Sequence, residues 1–109
     1  MRAIDLYAGI GGWSLGLRLA GIEVVDSYEY WMPALATHSA NHGGRLEPTD
    51  IRKIDLGSLP DDIDFVVGSP PCTQFSYSNR GGKWNISDGL KDLVKFIEVV
   101  VHLKLKYWA

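Results

Sequence analysis

The stretch Ala8-Gly9-Ile10-Gly11-Gly12 constrains this chain more than any other, because it joins an apolar run at Ala3–Tyr7 to a helical pattern through closely spaced glycines. Trp13, Leu17 and Ala20 recur at helical spacing, so the order is strand, glycine turn, helix. A glycine turn at such a junction lets the backbone approach a ligand closely, and the helix N-terminus presents unpaired N–H groups. That suits a polar or nucleotide-like cofactor; the plain alternative is a structural turn. Ser14 occupies the third glycine position of the Gly-x-Gly-x-x-Gly fingerprint, which argues against a dinucleotide-dependent dehydrogenase.

The rest of the chain continues the α/β alternation. Gly21 stops the first helix, and Ile22–Tyr28 reads as a second, β-branched strand that ends at Glu29. An acidic residue there is placed to accept hydrogen bonds from ribose hydroxyls, against the alternative of a solvated carboxylate. Pro33 suits the first turn of a helix that runs past His38 to the Asn41-His42-Gly43-Gly44 break. The βαβ order predicts a third strand within Arg45–Asp55, ending near Asp50. After an Asp61-Asp62 turn, Ile63–Gly68 reads as a buried parallel strand that ends in Ser69-Pro70-Pro71-Cys72. Thr73–Ser87 has no period, and a loop of that length serves binding or catalysis more often than connection. Leu90, Leu93, Val94, Ile97, Val100 and Val101 mark one helix face, and Tyr107-Trp108-Ala109 opens a further strand.

The 109 residues fit one domain, since roughly 100 to 200 residues per domain is usual, and 46% hydrophobic with 22% charged residues is a composition that folds around a core. The net charge of −2, without a Lys/Arg run, argues against autonomous nucleic-acid binding. Cys72 is the single cysteine, which excludes an internal disulfide, argues against structural zinc and fits a reducing, cytoplasmic setting. No signal-peptide pattern opens the chain, and no apolar run approaches the roughly eighteen residues of a membrane span.

Cys72 follows a buried strand, where open α/β sheets place their ligands. A lone cysteine is commonly a small buried hydrophobe. Here the stiff prolines before it and the polar residues after it favour a fixed, partly exposed nucleophile. His38 and His42 have i, i+4 spacing but no further ligand, so they read as surface histidines with no metal. Lys91, Lys95 and Lys106 read as solvated helix positions. Arg80, Lys83 and Trp84 suit either a polar loop or contact with phosphate and base.

Together, Asp5-Leu6-Tyr7-Ala8-Gly9-Ile10-Gly11-Gly12, Glu29, Thr49-Asp50-Ile51-Arg52 and Gly68-Ser69-Pro70-Pro71-Cys72-Thr73-Gln74-Phe75-Ser76 resemble the 5-cytosine DNA methyltransferase family in order and spacing. The resemblance implies a Rossmann-like, S-adenosylmethionine-dependent methyltransferase fold, with a mostly parallel sheet that stops after about four strands. It implies that residues 1–109 form the N-terminal part of the catalytic domain. Tyr7, in place of the family's usual Phe, would hold the methionine end of S-adenosylmethionine together with Gly9, Ile10, Gly11 and Gly12. Glu29 would bind the ribose, Tyr30 would lie against the adenine, and Asp50 with Ile51 would contact its edge. Pro71 and Cys72 would form the catalytic pair, while Ser76 and Arg80 would lie near the nucleic-acid backbone. Ser69-Pro70-Pro71-Cys72-Thr73 departs from the more frequent Gly-Phe-Pro-Cys-Gln, which puts the contacts of Thr73 and Gln74 in doubt.

The family's Glu-Asn-Val block, its later Arg-bearing block and its target-recognition domain have no counterpart in these 109 residues. The resemblance therefore implies a fragment, a gene remnant or one half of a split enzyme, inactive alone and completed by a complementing chain, with double-stranded DNA as partner in a restriction-modification or similar system. Two alternatives remain: a transfer-RNA cytosine-5 methyltransferase sharing the Pro-Pro-Cys variant, and a non-catalytic nucleotide-binding or interaction module in which Cys72 is structural.

Overall fold

The structure, a computed structural model, describes residues 1–72 and 85–109. Four parallel strands form one sheet in the order β2-β1-β3-β4: β1 is Arg2–Leu6, β2 Glu23–Tyr28, β3 Phe65–Gly68 and β4 Tyr107–Trp108. β1 is central and four of its five residues are buried, as a parallel strand covered on both faces requires. Ala3 and Val67 pack with Leu17 of helix α1, Gly12–Leu19, on one face. Ile4, Leu6 and Val66 pack with Phe96, Val99 and Val100 of helix α3, Ile86–His102, on the other. Helix α2, Met32–His42, buries Ala34, Leu35 and His38, with Pro33 in its first turn. The result is the expected mostly parallel α/β architecture.

The chain leaves β1 toward β2 on one side and β3 on the other. The carboxyl end of β1 is thus the point at which the strand order reverses, where open α/β sheets form a crevice for ligands.

The expected third strand within Arg45–Asp55 is absent; a 3₁₀ turn at Ile51–Lys53 lies in that stretch and a second follows it at Leu56–Ser58. The cause is local. Asp50 Oδ1 accepts from the Arg52 amide at 3.1 Å and Asp55 Oδ1 from the Gly57 amide at 3.0 Å, so side chains take up backbone donors that a strand would need. Arg45 instead fastens the segment to β2, through a 2.6 Å contact with Asp26 and a position over the Tyr28 ring.

Other expectations are corrected on α3. Its first turn already contains Ile86 and Ser87, capped by Asn85 Oδ1, which accepts from the Asp88 amide at 2.9 Å, so these two residues are helical and do not belong to the expected loop. The apolar face read from the sequence points outward apart from Val100: Leu93, Val94 and Val101 are 47%, 52% and 68% exposed and line, with Leu56, an open groove of about 550 Å³. The buried face is Gly89, Asp92, Phe96, Val99 and Val100. Lys95 is not solvated, because its ammonium donates to the Ile54 carbonyl at 3.0 Å, and Lys106 lies beyond the helix. Among the described residues no helix is long and apolar enough to cross a membrane.

Candidate active site

The carboxyl ends of β1, β2 and β3 converge on one pocket of about 490 Å³, lined by Tyr7, Glu29, Tyr30, Trp31, Thr49, Asp50, Ile51, Arg52, Ser69, Pro71 and Asp92. That volume suits a small-molecule site. Tyr7 follows β1 with φ 55°, a left-handed conformation uncommon for a residue with a side chain. Such a conformation persists where its surroundings hold it. Its hydroxyl reaches across the pocket floor to the Asp92 carbonyl and Oδ1, both at 3.1 Å. Burial, followed by the neighbouring Asp92 carboxylate, pushes the phenol pKa up, so Tyr7 remains a neutral donor.

Glu29 follows β2 and, among the described residues, is oriented by backbone amides. Its Oε1 accepts from the Gly9 amide at 3.2 Å; its Oε2 accepts from the amides of Tyr30 at 2.8 Å and Trp31 at 3.3 Å. A carboxylate offers about four lone-pair sites, so acceptor capacity remains for a ligand hydroxyl. Tyr30 and Trp31, each 67% exposed, present aromatic surface beside it. Asp50 and Ile51 form the far wall, where Ile51 is buried in the core.

The glycine turn divides its work. Gly9 (φ 57°) and Gly12 have nothing among the described residues within 4 Å of where a Cβ would stand, so both leave room for close approach. Gly11 does not: that space is filled by the rings of His42 and His38, making Gly11 a packing glycine. Ile10 is exposed. Among the described residues none of the four lines the pocket directly, and Gly9 is tied to it through its bond to Glu29.

On the β3 side, Gly68 lets the chain pass Leu6 and Phe96 at close range before Ser69 and Pro71 enter the pocket wall. The Trp13 indole donates to Ser69 Oγ at 3.1 Å and so ties the start of α1 to the Ser-Pro-Pro-Cys segment. Cys72 is a free, exposed thiol immediately after Pro71. Ser76 and Arg80, with Thr73, Gln74, Lys83 and Trp84, lie outside the described residues.

The histidine expectation fails. His38 is buried and its Nε2 lies 3.2 Å from Ser14 Oγ, which in turn donates to Asp5 Oδ2 at 2.7 Å. His42 is half-buried, its ring centroid 4.9 Å from that of His38. Burial, then the proximity of His42 and Arg18, lowers the His38 pKa. Asp5 is fully buried, and its Oδ1 has no hydrogen-bond partner among the described residues. Burial raises its pKa to about 6 against the lowering effect of Ser14.

Sequence reasoning also missed Arg52 and Asp92. The Arg52 guanidinium meets both Asp92 oxygens, at 3.0 and 2.7 Å, and Asp88 Oδ1 at 3.0 Å. The one signal available was the i, i+4 spacing of Asp88 and Asp92 on a helix, and nothing in it named a partner 40 residues earlier in the chain.

A family model for C-5 cytosine-specific DNA methylase matches residues 1–106. The type II methyltransferase M.NgoPII of Neisseria gonorrhoeae is 38% identical over 97% of this chain and 30% of its own length. M.HgiGI of Herpetosiphon aurantiacus, also a type II methyltransferase, is 33% identical over 95% of this chain and 83% of its own. The chain spans 36% or less of most of these curated relatives. Among solved structures, an E. coli prophage-encoded protein described as a DNA modification methyltransferase superimposes with a TM-score of 0.77 at 27% identity, covering 99% of this chain and 30% of the other. The S. pombe Dnmt2 methyltransferase shares the fold, with a TM-score of 0.69 at 22% identity over 94% of this chain and 30% of the other.

Proposed function

The chain belongs to the C-5 cytosine-specific DNA methylase family, and from that membership we propose that its site holds S-adenosylmethionine beside the Cys72 nucleophile, for transfer of a methyl group to carbon 5 of cytosine in DNA. One observation carries the reading: the cavity bounded by Glu29, Asp50 and Ile51 is continuous with Ser69 and Pro71, and the exposed Cys72 comes next. Cofactor and nucleophile would share one space.

The lining fits that cofactor. Glu29 keeps acceptor capacity for ribose hydroxyls, and Tyr30 offers a planar face for adenine, with Asp50 and Ile51 at its edge. Gly9 and Gly12 leave open space beside the turn for the methionine end, with Ile10 and Gly11 completing that turn. Glu29, Asp50 and Asp92 place three carboxylates in the wall against the single guanidinium of Arg52, an environment that favours a cation.

When bound, the cofactor supplies an electrophilic methyl group on a sulfonium centre. Carbon 5 of cytosine is a weak nucleophile, and Cys72 remedies this. Its thiolate forms a bond to carbon 6, and the displaced ring electron pair makes carbon 5 the attacking atom for the methyl group. The methyl group would pass to carbon 5 as its bond to the cofactor's sulfur breaks; loss of the carbon-5 proton to water and cleavage of the Cys72 Sγ–carbon 6 bond would then restore the ring and return the thiolate. Pro70 and Pro71 fix the backbone ahead of Cys72. In a duplex the target base must first leave the stack. Ser76 and Arg80 are assigned to the nucleic-acid backbone.

Turnover on DNA is assigned to a protein of the relatives' length, in a cytoplasmic restriction-modification or similar system; the 109 residues alone are expected to be silent. Co-expression of this chain with the part of M.NgoPII beyond the matched region tests the reading through transfer of tritiated methyl. Incorporation into duplex DNA as 5-methylcytosine, abolished by Cys72→Ser, is the expected result. Activity that survives Cys72→Ser would remove the nucleophile, and methylation of transfer RNA in place of DNA would change the substrate.

A further inference from the structure

We propose that Arg52 is a positioning residue that pins the first turns of α3 to the adenine-edge segment Asp50–Ile51; the inference rests on the cofactor reading above for what that segment touches. A single guanidinium makes four short contacts with one helix. Nε and Nη2 reach Asp92 Oδ1 and Oδ2 at 3.0 and 2.7 Å, Nη1 reaches Asp88 Oδ1 at 3.0 Å, and Nη2 also reaches the Asp88 carbonyl at 3.0 Å. The planar fork of arginine can serve two carboxylates at once; a lysine ammonium cannot reproduce that geometry.

The other end of Arg52 is equally fixed. Its amide donates to Asp50 Oδ1 at 3.1 Å within the 3₁₀ turn, and the adjacent Ile51 is buried in the core. Two further bonds tie the same pieces together. Lys95 Nζ donates to the Ile54 carbonyl at 3.0 Å, and the Tyr7 hydroxyl donates to Asp92 at 3.1 Å from the end of β1. Asp92 thus receives donors from both Tyr7 and Arg52, so three walls of the pocket meet on one buried carboxylate. Without Arg52, the side-chain bonds from α3 to this segment would reduce, among the described residues, to that of Lys95, beside the core contacts of Ile51 and the bond from the Thr49 amide to the Glu29 carbonyl at 2.9 Å.

Amide hydrogen exchange on the 109-residue chain, with S-adenosylhomocysteine titration alongside, tests the role. Arg52→Gln should speed exchange at residues 89–93 and 52–54 by about tenfold while β1 and β3 change by less than about twofold, because the opening is local. It should also weaken S-adenosylhomocysteine binding by about tenfold, and Arg52→Lys should recover only a minor part of either effect. Uniformly faster exchange, unchanged exchange, or full recovery in Arg52→Lys would overturn the proposal, as would undiminished binding of the probe by Arg52→Gln. Should Arg52→Gln not fold, Asp88→Asn, which leaves the Asp92 pair in place, must show the same local pattern at smaller amplitude. A wild-type chain that binds no S-adenosylhomocysteine removes the cofactor reading, and the exchange pattern then decides the positioning role alone.

Discussion

Gly11 stands against the ring of His42 so closely that a Cβ at its position would meet His42 Cδ2 and Nε2 at 2.5 Å and His38 Cδ2 at 2.9 Å. Its φ of 101° is also one that side-chain-bearing residues avoid. Gly11→Ala should therefore destabilise the chain by about 2–4 kcal/mol, combining overpacking with backbone strain. Denaturant unfolding checks this. In the double variant Gly11→Ala/His42→Ala, part of the loss should return, because the nearest clash goes while the strain stays.

Gly68 has a harder constraint, since a Cβ there would meet the Leu6 carbonyl oxygen at 2.8 Å and Phe96 Cε2 at 2.9 Å. A backbone atom in the neighbouring strand cannot swing aside as a ring can. Gly68→Ala should cost about 1–3 kcal/mol by forcing β3 away from β1, and should displace Ser69 and Cys72 with it. Thermal unfolding reads the first effect; the rate of Cys72 alkylation, relative to the wild type, reads the second.

Asp5 links stability to pH. Burial raises its folded pKa to about 6, from the ordinary carboxylate value of 3.8, so its contribution is fully present below its unfolded pKa and is lost as pH rises through the folded value. His38, shifted downward, acts in the opposite sense: its contribution is lost as pH falls through its lowered folded pKa. A comparison at each pH isolates the carboxyl. Relative to wild type, Asp5→Asn should gain on the order of 3 kcal/mol between pH 4 and pH 7. A constant difference across that range would mean that Asp5 ionises in the fold as readily as in the unfolded chain.

What the sequence made legible was local and periodic. The strand–glycine–helix junction, the strand ending at Glu29 and the buried run before Ser69-Pro70-Pro71-Cys72 each carry their signal within a few residues, and the pocket forms where those three ends meet. The missing third strand failed a test of the same kind, because Asp50 and Asp55 bond backbone amides two residues on and favour 3₁₀ turns over extension. Long-range pairing was not legible. Nothing near His38 announces Ser14, 24 residues away, and nothing near Arg52 announces Asp92. The apolar spacing of α3 marked a face but not the side that meets the sheet, because the apolar stripe is wider than that side; Asp92 is buried by its partners while Leu93 and Val94 are exposed.

The most direct measurement is calorimetric titration of the 109-residue chain with S-adenosylhomocysteine, wild type against Glu29→Ala. The carboxylate already orients toward the pocket through three backbone amides and keeps acceptor capacity for the ribose. Saturable binding by the wild type is expected, weakened by at least about tenfold in Glu29→Ala, equivalent to about 1.4 kcal/mol or more. A folded wild-type chain that binds nothing, or a variant that binds as tightly as the wild type, would contradict it.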